Sequence, residues 1–409
     1  MTNPRALPAR RAWYWLAALP LFLLAGCLAA PSVSTPPPTV ALAASSVPAS
    51  ATPADSATRP LTPSTPSPTA APGASALPLS ATPAPDGPTA TPEPVIRLVF
   101  TGDINPGRCP AQAALAANDF AVPYQMVSDT LHAADITVGS VDGSISDAAT
   151  PAPCAPTMNL IGPARTAEGL KTAGFTLITA ATNHALDCGS LGWRCKGQSV
   201  LDTQRNLAQA GLQVVGIGDT LTAARVPVIV ERHGIRFAFL GVNAISGDST
   251  WATDTQPGTA PLSDQSLPEV LDDIARARAM ADVVIVLPHW GIEYTALPDK
   301  DQQAWAAALI AAGADLVVGN HPHEAQPVET FASGGVVAYA LGNFVFDQGP
   351  KETREGVVFE AVFRGSRLER WQLLPVRIYD QYQPRWAPPA EAQAVLARLT
   401  EAANALPQR

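Results

Sequence analysis

The segment Leu316-Val317-Val318-Gly319-Asn320-His321-Pro322-His323 is the one around which the rest of the chain is arranged, because an apolar strand ends there at a glycine and is followed by two histidines. The whole chain has six histidines, so this short segment holds a third of them. Pro322 fixes its own φ and favours an extended backbone at His321, so we expect both imidazoles to point from the strand end towards one spot. Two converging neutral imidazoles form half of a metal site, although an isolated His-x-His is more often a surface turn.

From residue 95 onward, apolar runs of strand length alternate with amphipathic runs of helix length, a pattern typical of an α/β domain built on packed sheets. The predicted strands cover residues 95–101, 135–142, 176–180, 213–216, 226–230, 235–242, 283–287 and 316–318, followed by a meander over 336–341, 357–363 and 368–376. The predicted helices cover residues 123–133, 163–173, 199–210, 266–280 and 299–312. A long loop is predicted over 246–263, and residues 386–409 are predicted to be one surface helix or a frayed tail.

Residues able to bind metal lie at the carboxyl ends of five predicted strands. They are Asp103, Asp142, Asn183 with His184, His289, and His321 with His323. Each alone has an ordinary explanation as a turn former, a loop cap or a core histidine, but their recurrence favours a site, because open α/β sheets bind ligands at this edge. Oxygen and imidazole ligands without thiolate suit zinc, manganese or iron. Six or seven ligands exceed the needs of one tetrahedral ion, so the pattern indicates two metals that activate water for attack at phosphorus or a carbonyl.

The first 27 residues have the pattern of a lipoprotein signal peptide. Arg5, Arg10 and Arg11 precede an apolar run over 12–25 that is too short for a membrane span, and Leu24-Ala25-Gly26-Cys27 resembles a bacterial lipobox. We therefore expect Cys27 to be the lipidated first residue of a protein exported to the cell envelope, on the outer face of a bacterial membrane; an uncleaved anchor is the alternative. Residues 28–94 hold 17 of the 41 prolines and almost no charge, so we expect a disordered, semi-rigid linker.

Charge and cysteine content limit the partners and the compartment. The formal net charge is −9, and about −12 without the three leader arginines, so no nucleic-acid partner is expected. Cys109, Cys154, Cys188 and Cys195 are an even number in an oxidising location, which predicts two disulfides. Close spacing favours Cys188 with Cys195 and leaves Cys109 with Cys154, but three pairings are possible, and a metal site made of all four thiolates is a further alternative.

Five segments, in order and naturally spaced over residues 95–350, resemble the CapA/PgsA capsule synthesis proteins, a branch of the calcineurin-like metallophosphoesterases. The segments are Gly102-Asp103-x-x-x-Gly107-Arg108, Asn183-His184-x-x-Asp187-x-Gly189, His289-Trp290-Gly291-x-Glu293-Tyr294, Gly319-x-His321-Pro322-His323-x-x-Gln326 and Leu341-Gly342-Asn343-Phe344-x-Phe346-Asp347-Gln348. The resemblance implies an α/β fold over residues 95–385, a calcineurin-like metallophosphoesterase sandwich of two β-sheets flanked by helices.

The resemblance also implies a role for each candidate ligand. Asp103 would bind a first metal together with His323, and Asp142 would be the carboxylate that bridges both ions. The ligands assigned to the second metal are Asn183, His289 and His321. The implied cofactor is therefore a pair of divalent transition metal ions, manganese, zinc or iron.

Four further residues are candidates for catalysis on the same resemblance. His184 would assist at the phosphoryl oxygen as a general acid or as a stabiliser of the transition state, and Asp187 would orient it. Arg108 would clamp an anionic substrate, or form a structural salt bridge instead. Glu293 would transfer a proton, or would contact a metal-binding side chain without binding the metal itself.

The chain departs from the family pattern near the first metal. Ser140-Val141-Asp142 stands where the family has Asn-Leu-Glu, so the acidic side chain is one methylene shorter. Asn105-Pro106 stands where Met-Leu is common, and the Asp-x-His opening of ordinary metallophosphoesterases is missing after Asp103. One metal ion, or none, is therefore the alternative to two. Asn343 and Asp347 are interpreted mainly as loop architecture near the site.

The leading hypothesis for function is a cell-surface lipoprotein with a metal-dependent, hydrolase-like domain. It would act in the synthesis, attachment or trimming of an anionic surface polymer such as poly-γ-glutamate. One alternative is a non-catalytic, polymer-binding partner of a membrane polymer synthase. The other is a surface phosphodiesterase or nucleotidase that takes a phosphoester substrate, and fold-level analogy does not choose among the three.

Overall fold

The computed structural model describes residues 92–189 and 195–407, so the predicted leader, Cys27 and the linker up to residue 91 lie outside the described residues. The strands are β1 (Val95–Ile104), β2 (Ile136–Val141), β3 (Ser144–Ile145), β4 (Ile161–Gly162), β5 (Leu177–Thr179), β6 (Gln213–Val215), β7 (Ile217–Gly218), β8 (Val228–Arg232), β9 (Ile235–Asn243), β10 (Gly258–Thr259), β11 (Val283–His289), β12 (Leu316–Val318), β13 (Val328–Thr330), β14 (Val336–Ala338), β15 (Asn343–Val345), β16 (Glu355–Arg364), β17 (Arg367–Tyr379) and β18 (Gln383–Trp386). The α-helices are α1 (Arg108–Ala117), α2 (Ser128–His132), α3 (Thr166–Thr172), α4 (Lys196–Gln209), α5 (Leu221–Ala224), α6 (Leu267–Met280), α7 (Lys300–Ala311) and α8 (Pro389–Asn404). Short 3₁₀ turns cover Val122–Tyr124, Gly247–Ser249 and Glu352–Arg354.

Two mixed sheets form the centre of the fold. The first has the strand order β18-β17-β16-β1-β2-β5-β6, with β15 paired beside the end of β1. Its β1, β2, β5 and β6 are parallel, whereas β16, β17 and β18 are antiparallel. The predicted meander holds for residues 357–363 and 368–376, but the prediction is wrong for its first strand, because β14 pairs parallel with β12 in the second sheet. The second sheet has the order β13-β14-β12-β11-β9-β8 with four parallel strands in the middle, and its β8 and β9 form an antiparallel hairpin.

The two sheets pack face to face through alternate residues of their strands. Ile96, Leu98 and Phe100 of β1 point into this layer, as the period of two in a strand requires. Phe237 of β9 meets Phe363 of β16 edge to face, with ring centroids 5.4 Å apart. Each such buried side chain contributes about 1.5–3 kcal/mol. The intervening residues pack against helices on both outer faces, which confirms the sandwich of two sheets flanked by helices.

The helix prediction differs from the structure at α1, at the single-turn α5 and over residues 123–133. The sequence analysis predicts no helix over residues 108–117, where the structure has α1. The helix ends at Asn118, which adopts a left-handed conformation at φ 49°. Asparagine commonly occupies this position at helix ends, so Asn118 was the residue from which the end of α1 could have been predicted. The single helix predicted over 123–133 is wrong, because the chain forms a 3₁₀ turn, then the short α2, and buries Tyr124 against Phe175 with ring centroids 5.6 Å apart.

The C-terminal segment is a helix that belongs to the same core. Val395 and Leu399 of α8 are buried with the residues between the two sheets. Across residues 92–189 and 195–407, no helix combines the length and the apolar character needed to span a bilayer.

Two disulfides brace loops next to the sheets. Cys109 is bonded to Cys154, and Cys188 is bonded to Cys195. This is the pairing that close spacing favours, so the other pairings and the four-thiolate metal site are wrong. The first bond ties the start of α1 to the irregular segment between β3 and β4, and the second joins the turn after β5 to the start of α4.

Candidate metal centre

The candidate ligands meet where the parallel strands of both sheets have their carboxyl ends. Asp103 lies within β1, Asp142 directly follows β2, and His289 is the last residue of β11. The remaining candidates follow β5 and β12; they are Asn183, His184, His321 and His323. Because parallel strands bring their carboxyl ends to one edge, residues far apart in sequence share one site.

The backbone that carries the two histidines is strained. His321 has φ 102° and His323 has φ 60°, so the prediction of an extended backbone at His321 is wrong. Such conformations cost about 1–3 kcal/mol each and persist when surrounding contacts fix them. Here the His321 amide donates to Asp103 Oδ2 at 3.0 Å, and the Tyr294 amide donates to the Pro322 carbonyl at 2.8 Å. The two imidazoles nevertheless reach the common site.

The Gly-Asp pair at the end of β1 allows a close approach of two backbones. A Cβ at Gly102 would lie 2.0 Å from the carbonyl oxygen of Gly342, so only glycine fits there. This approach lets the Asp103 amide donate to that same carbonyl at 2.9 Å. The Asp103 carboxylate is oriented further by the Ser140 hydroxyl, which donates to Oδ1 at 2.9 Å.

The ligand atoms face one another across short gaps. His289 Nε2 lies 2.8 Å from Asn183 Oδ1 and 3.6 Å from Asp142 Oδ1. Asp103 lies 3.9 Å from His289 Nδ1 and 3.7 Å from His323 Nδ1. Two atoms bound to one ion at about 2.1 Å lie about 3.0–3.4 Å apart, so the gaps of 2.8 and 3.6 Å around His289 Nε2 bracket the edges of a coordination shell. Among the described residues, however, no group of three or more His, Cys, Asp or Glu side chains is arranged so that it could hold a metal ion as the side chains stand.

Burial keeps the imidazoles of this cluster neutral. Burial, followed by the charges of neighbouring histidines, lowers the pKa of His321 to about 3 and the pKa of His289 well below its usual value. Burial also lowers the pKa of His323. For Asp103, burial and then the charge of Asp142 raise the pKa well above its usual value. Neutral imidazoles carry the lone pair that a metal requires, so the histidines are ready to bind at neutral pH.

Unpartnered polar atoms inside the cluster test whether these residues fit a metal. Both carboxylate oxygens of Asp142 are buried and have no hydrogen-bond partner, and the same holds for Nδ1 of His289 and of His321. An unpaired carboxylate in a protein interior is costly, and a cation offsets that cost. The donor set of carboxylates, amide and imidazoles therefore fits a divalent ion.

His184 and Asp187 form a hydrogen-bonded pair beside the ligands. His184 Nδ1 lies 2.8 Å from Asp187 Oδ2, which also accepts the Leu160 amide at 2.6 Å. Burial alone would lower the pKa of His184, but the charge of Asp142 and the bond to Asp187 raise it to about 9. His184 is therefore protonated at neutral pH in the metal-free protein and can donate through Nε2.

Arg108 is held in an ion pair within the protein. One of its terminal nitrogens bonds Asp347, and the other donates to the Thr157 carbonyl at 2.6 Å. Asp347 also accepts from Asn105 at 3.2 Å. The structure thus favours the salt-bridge alternative for Arg108 over the substrate clamp. Asp347, interpreted from the sequence mainly as loop architecture, is the ion-pair partner of Arg108.

Two residues near the ligands gain contacts that sequence reasoning did not assign. Asn343 Oδ1 lies 2.8 Å from His323 Nδ1, and the Tyr294 ring stacks on the His323 imidazole with centroids 6.0 Å apart. Glu293, half-buried between β11 and α7, acts electrostatically on both His323 and Tyr294. Their positions within quoted motifs were the available signal, although their partners lie in other segments.

A family profile covers most of this architecture. The profile of the bacterial capsule synthesis protein PGA_cap matches residues 97–348. The chain belongs to this family. The match runs from β1 to Gln348, so it includes every candidate ligand and leaves the meander β16–β18 and α8 outside.

Two relatives support the same membership. The PGA biosynthesis protein CapA of Bacillus subtilis (strain 168) is 31% identical over 288 residues, which are 70% of this chain and 72% of that protein. The capsule biosynthesis protein CapA of Bacillus anthracis is 33% identical over 219 residues, 53% of this chain and 51% of that protein. Among solved structures, a hypothetical protein from Thermus thermophilus aligns with a TM-score of 0.42 and 17% identity, over 69% of this chain and all of that one. The resemblance read from five segments is thus confirmed at the level of the family.

Proposed function

We propose that this chain is an exported lipoprotein, anchored through Cys27, whose folded body is a metal-dependent hydrolase acting on an anionic surface polymer such as poly-γ-glutamate. Its step would be synthesis, attachment or trimming of that polymer, beside a membrane polymer synthase. Membership in the capsule synthesis family and the names of the Bacillus relatives support the polymer. The buried, unpartnered carboxylate of Asp142 among three histidines is the observation that carries the metal.

The residues divide into those that would hold metal and those that would handle the substrate. The proposed metal ligands are Asp103, Asp142, Asn183, His289, His321 and His323. Divalent metal bound there would supply Lewis acidity to a phosphoryl or carbonyl group. His184, held at Nδ1 by Asp187, would donate its Nε2 proton to the leaving group, which is the nitrogen of a γ-glutamyl amide or the oxygen of a phosphoester.

Elemental analysis by mass spectrometry tests the proposal on the full chain, purified in detergent without chelator. We expect one to two equivalents of manganese, zinc or iron in the parent, and loss of that metal in the variant His321→Ala/His323→Ala. The matched control is His132→Ala/His233→Ala, because both of those histidines are exposed and lie outside the cluster. A metal-loaded parent is then assayed on phosphodiesters and on γ-glutamyl polymers.

The outcome separates the candidate functions. If the folded parent carries no metal, even after incubation with manganese or zinc, the hydrolase hypothesis is refuted. The remaining candidate is then a polymer-binding partner of the synthase. Cleavage of phosphodiesters with no action on γ-glutamyl polymer would support the surface phosphodiesterase instead.

A further inference from the structure

A row of hydrogen bonds leads from His323 to the surface beside the metal centre. His323 Nδ1 lies 2.8 Å from Asn343 Oδ1, Asn343 Nδ2 donates to Gln348 Oε1 at 2.9 Å, and Gln348 Nε2 donates to the Tyr294 hydroxyl at 3.2 Å. All four residues belong to the segments that resemble the capsule family. Asn343, Gln348 and Tyr294 nevertheless have no task in the proposed reaction.

One backbone carbonyl fixes the direction of the whole row. Asn343 Nδ2 also donates to the Thr353 carbonyl oxygen at 2.9 Å. A carbonyl oxygen only accepts, so the Asn343 amide has a single orientation, with Oδ1 towards His323. His323 Nδ1 must then carry the proton, which leaves the lone pair on Nε2. Gln348 must accept through Oε1, so its Nε2 is the atom that donates to Tyr294.

The last member of the row sits at the mouth of the site. The Tyr294 ring stacks on the His323 imidazole, yet the residue is 53% exposed. Its loop is held from beneath, because the buried Gln326 donates to the carbonyls of Thr295 and Leu297 at 3.0 and 3.1 Å. Tyr294 itself adopts φ 60°, a conformation found where surrounding contacts hold a functional residue. An aromatic side chain is thus kept rigid and half in solvent beside a candidate metal ligand.

The hydroxyl of Tyr294 can donate a hydrogen bond to a bound molecule. Since the oxygen accepts from Gln348, its own hydrogen points away from the row. A phenol has an ordinary pKa of about 10, so this hydrogen is present at neutral pH.

We propose that Asn343 is a positioning residue that locks His323 in the Nδ1–H tautomer, and that Tyr294 contacts substrate by donating a hydrogen bond from its hydroxyl to an anionic oxygen. That oxygen belongs to a carboxylate or a phosphate on the part of the substrate outside the metal ligands. The assignment of Tyr294 rests on the proposed function, whereas the assignment of Asn343 needs only the geometry. Aligned hydrogen bonds strengthen one another, so the row couples the ligand to the substrate contact.

The tautomer of His323 is measured by ¹⁵N NMR on the full chain in detergent, with labelled histidine and with chelator present. We expect the Nδ1–H form in the parent and in Gln348→Leu, and a mixture of tautomers in Asn343→Leu. If Asn343→Leu does not fold, Asn343→Asp serves, because a carboxylate still accepts from Nδ1 and should keep the Nδ1–H form. A parent in the Nε2–H form would overturn the assignment of Asn343 whatever the metal content or activity.

Tyr294→Phe tests the substrate contact, because it keeps the stacked ring and removes only the hydroxyl. We expect KM to rise about tenfold with kcat and metal content unchanged, as for loss of a hydrogen bond to a charged group. Tyr379→Phe is the control, because that ring lies on the distant meander against Arg377 and Arg385. A phosphodiester and a γ-glutamyl oligomer are assayed in parallel, and the one whose KM responds identifies the anionic oxygen.

An unchanged KM for both substrates would refute the role of Tyr294, and loss of metal from the variant would show a structural role instead. If the parent binds no metal and turns over neither substrate, the proposed function fails. The affinities of the parent and of Tyr294→Phe for the γ-glutamyl oligomer, measured by calorimetry, then test the substrate contact of Tyr294. Equal affinities would refute that contact.

Discussion

Removing the two disulfides one at a time should destabilise the protein unequally. The variant Cys109→Ser/Cys154→Ser opens a loop of 45 residues, and Cys188→Ser/Cys195→Ser opens a loop of 7. The chain-entropy relation assigns about 4.0 kcal/mol to the long loop and about 2.4 kcal/mol to the short one at 25 °C. The long-loop variant should therefore be less stable by about 1.6 kcal/mol.

Urea unfolding measures this difference, with chelator present and tryptophan fluorescence as the signal. Both variants should keep the same dependence on urea concentration, so that the midpoints report stability alone. The parent treated with reductant is the control, and it should unfold at a lower urea concentration than either variant. A short-loop variant that is as unstable as the long-loop variant would refute the entropic reasoning and would indicate that contacts around Cys188 dominate.

Three further predictions concern the metal, the pH dependence and the core. Free manganese at a concentration a hundredfold above its dissociation constant should stabilise the parent by about 2.7 kcal/mol in thermal unfolding. The variant Asp142→Asn should lose this stabilisation, and an equal gain in the variant would contradict the assignment of Asp142 as a ligand. Because burial lowers the pKa of His321 from 6.5 to about 3, the unfolded chain binds that proton first. The free energy of unfolding of the metal-free protein should thus fall as the pH drops from 6.5 towards 3, and urea titrations of His321→Ala should show a flatter slope. Phe359 is fully buried between Phe100 and Trp371, so Phe359→Ala should cost about 3–5 kcal/mol in urea unfolding, and a loss below about 1 kcal/mol would show that the core repacks.

Most of the fold could be predicted because its signals are local. The β11 sequence is a continuous apolar run, as a strand buried on both faces requires, and α7 carries Asp299 as its N-cap and Gly313 beyond its end. The 3₁₀ turn before α2 is an exception with a long-range cause, because it depends on the packing of Tyr124 against Phe175, which lies in a different part of the chain.

The candidate site was predictable in its membership and less so in its contacts. Asp103, Asp142 and the histidines could be found because each follows or ends a strand, and strand ends are visible in sequence. The ion-pair partner of Arg108 could not be predicted, because Asp347 lies 239 positions away and sequence patterns relate only residues within the same short segment. The positive φ of His321 was missed for the same reason, because a hydrogen bond to Asp103 holds it against the local preference set by Pro322.

The sequence by itself determined most of the strands and the kinds of atom at their carboxyl ends, because strand length, apolar period and strand-end residues are properties of short segments. Only the tertiary structure decided how those atoms are paired and protonated. The register of β15 beside β1 brings Asn343 level with Asp103, and the Thr353 carbonyl then orients the Asn343 amide towards His323. Such long-range hydrogen bonds depend on the packing of several strands together, which no single segment encodes.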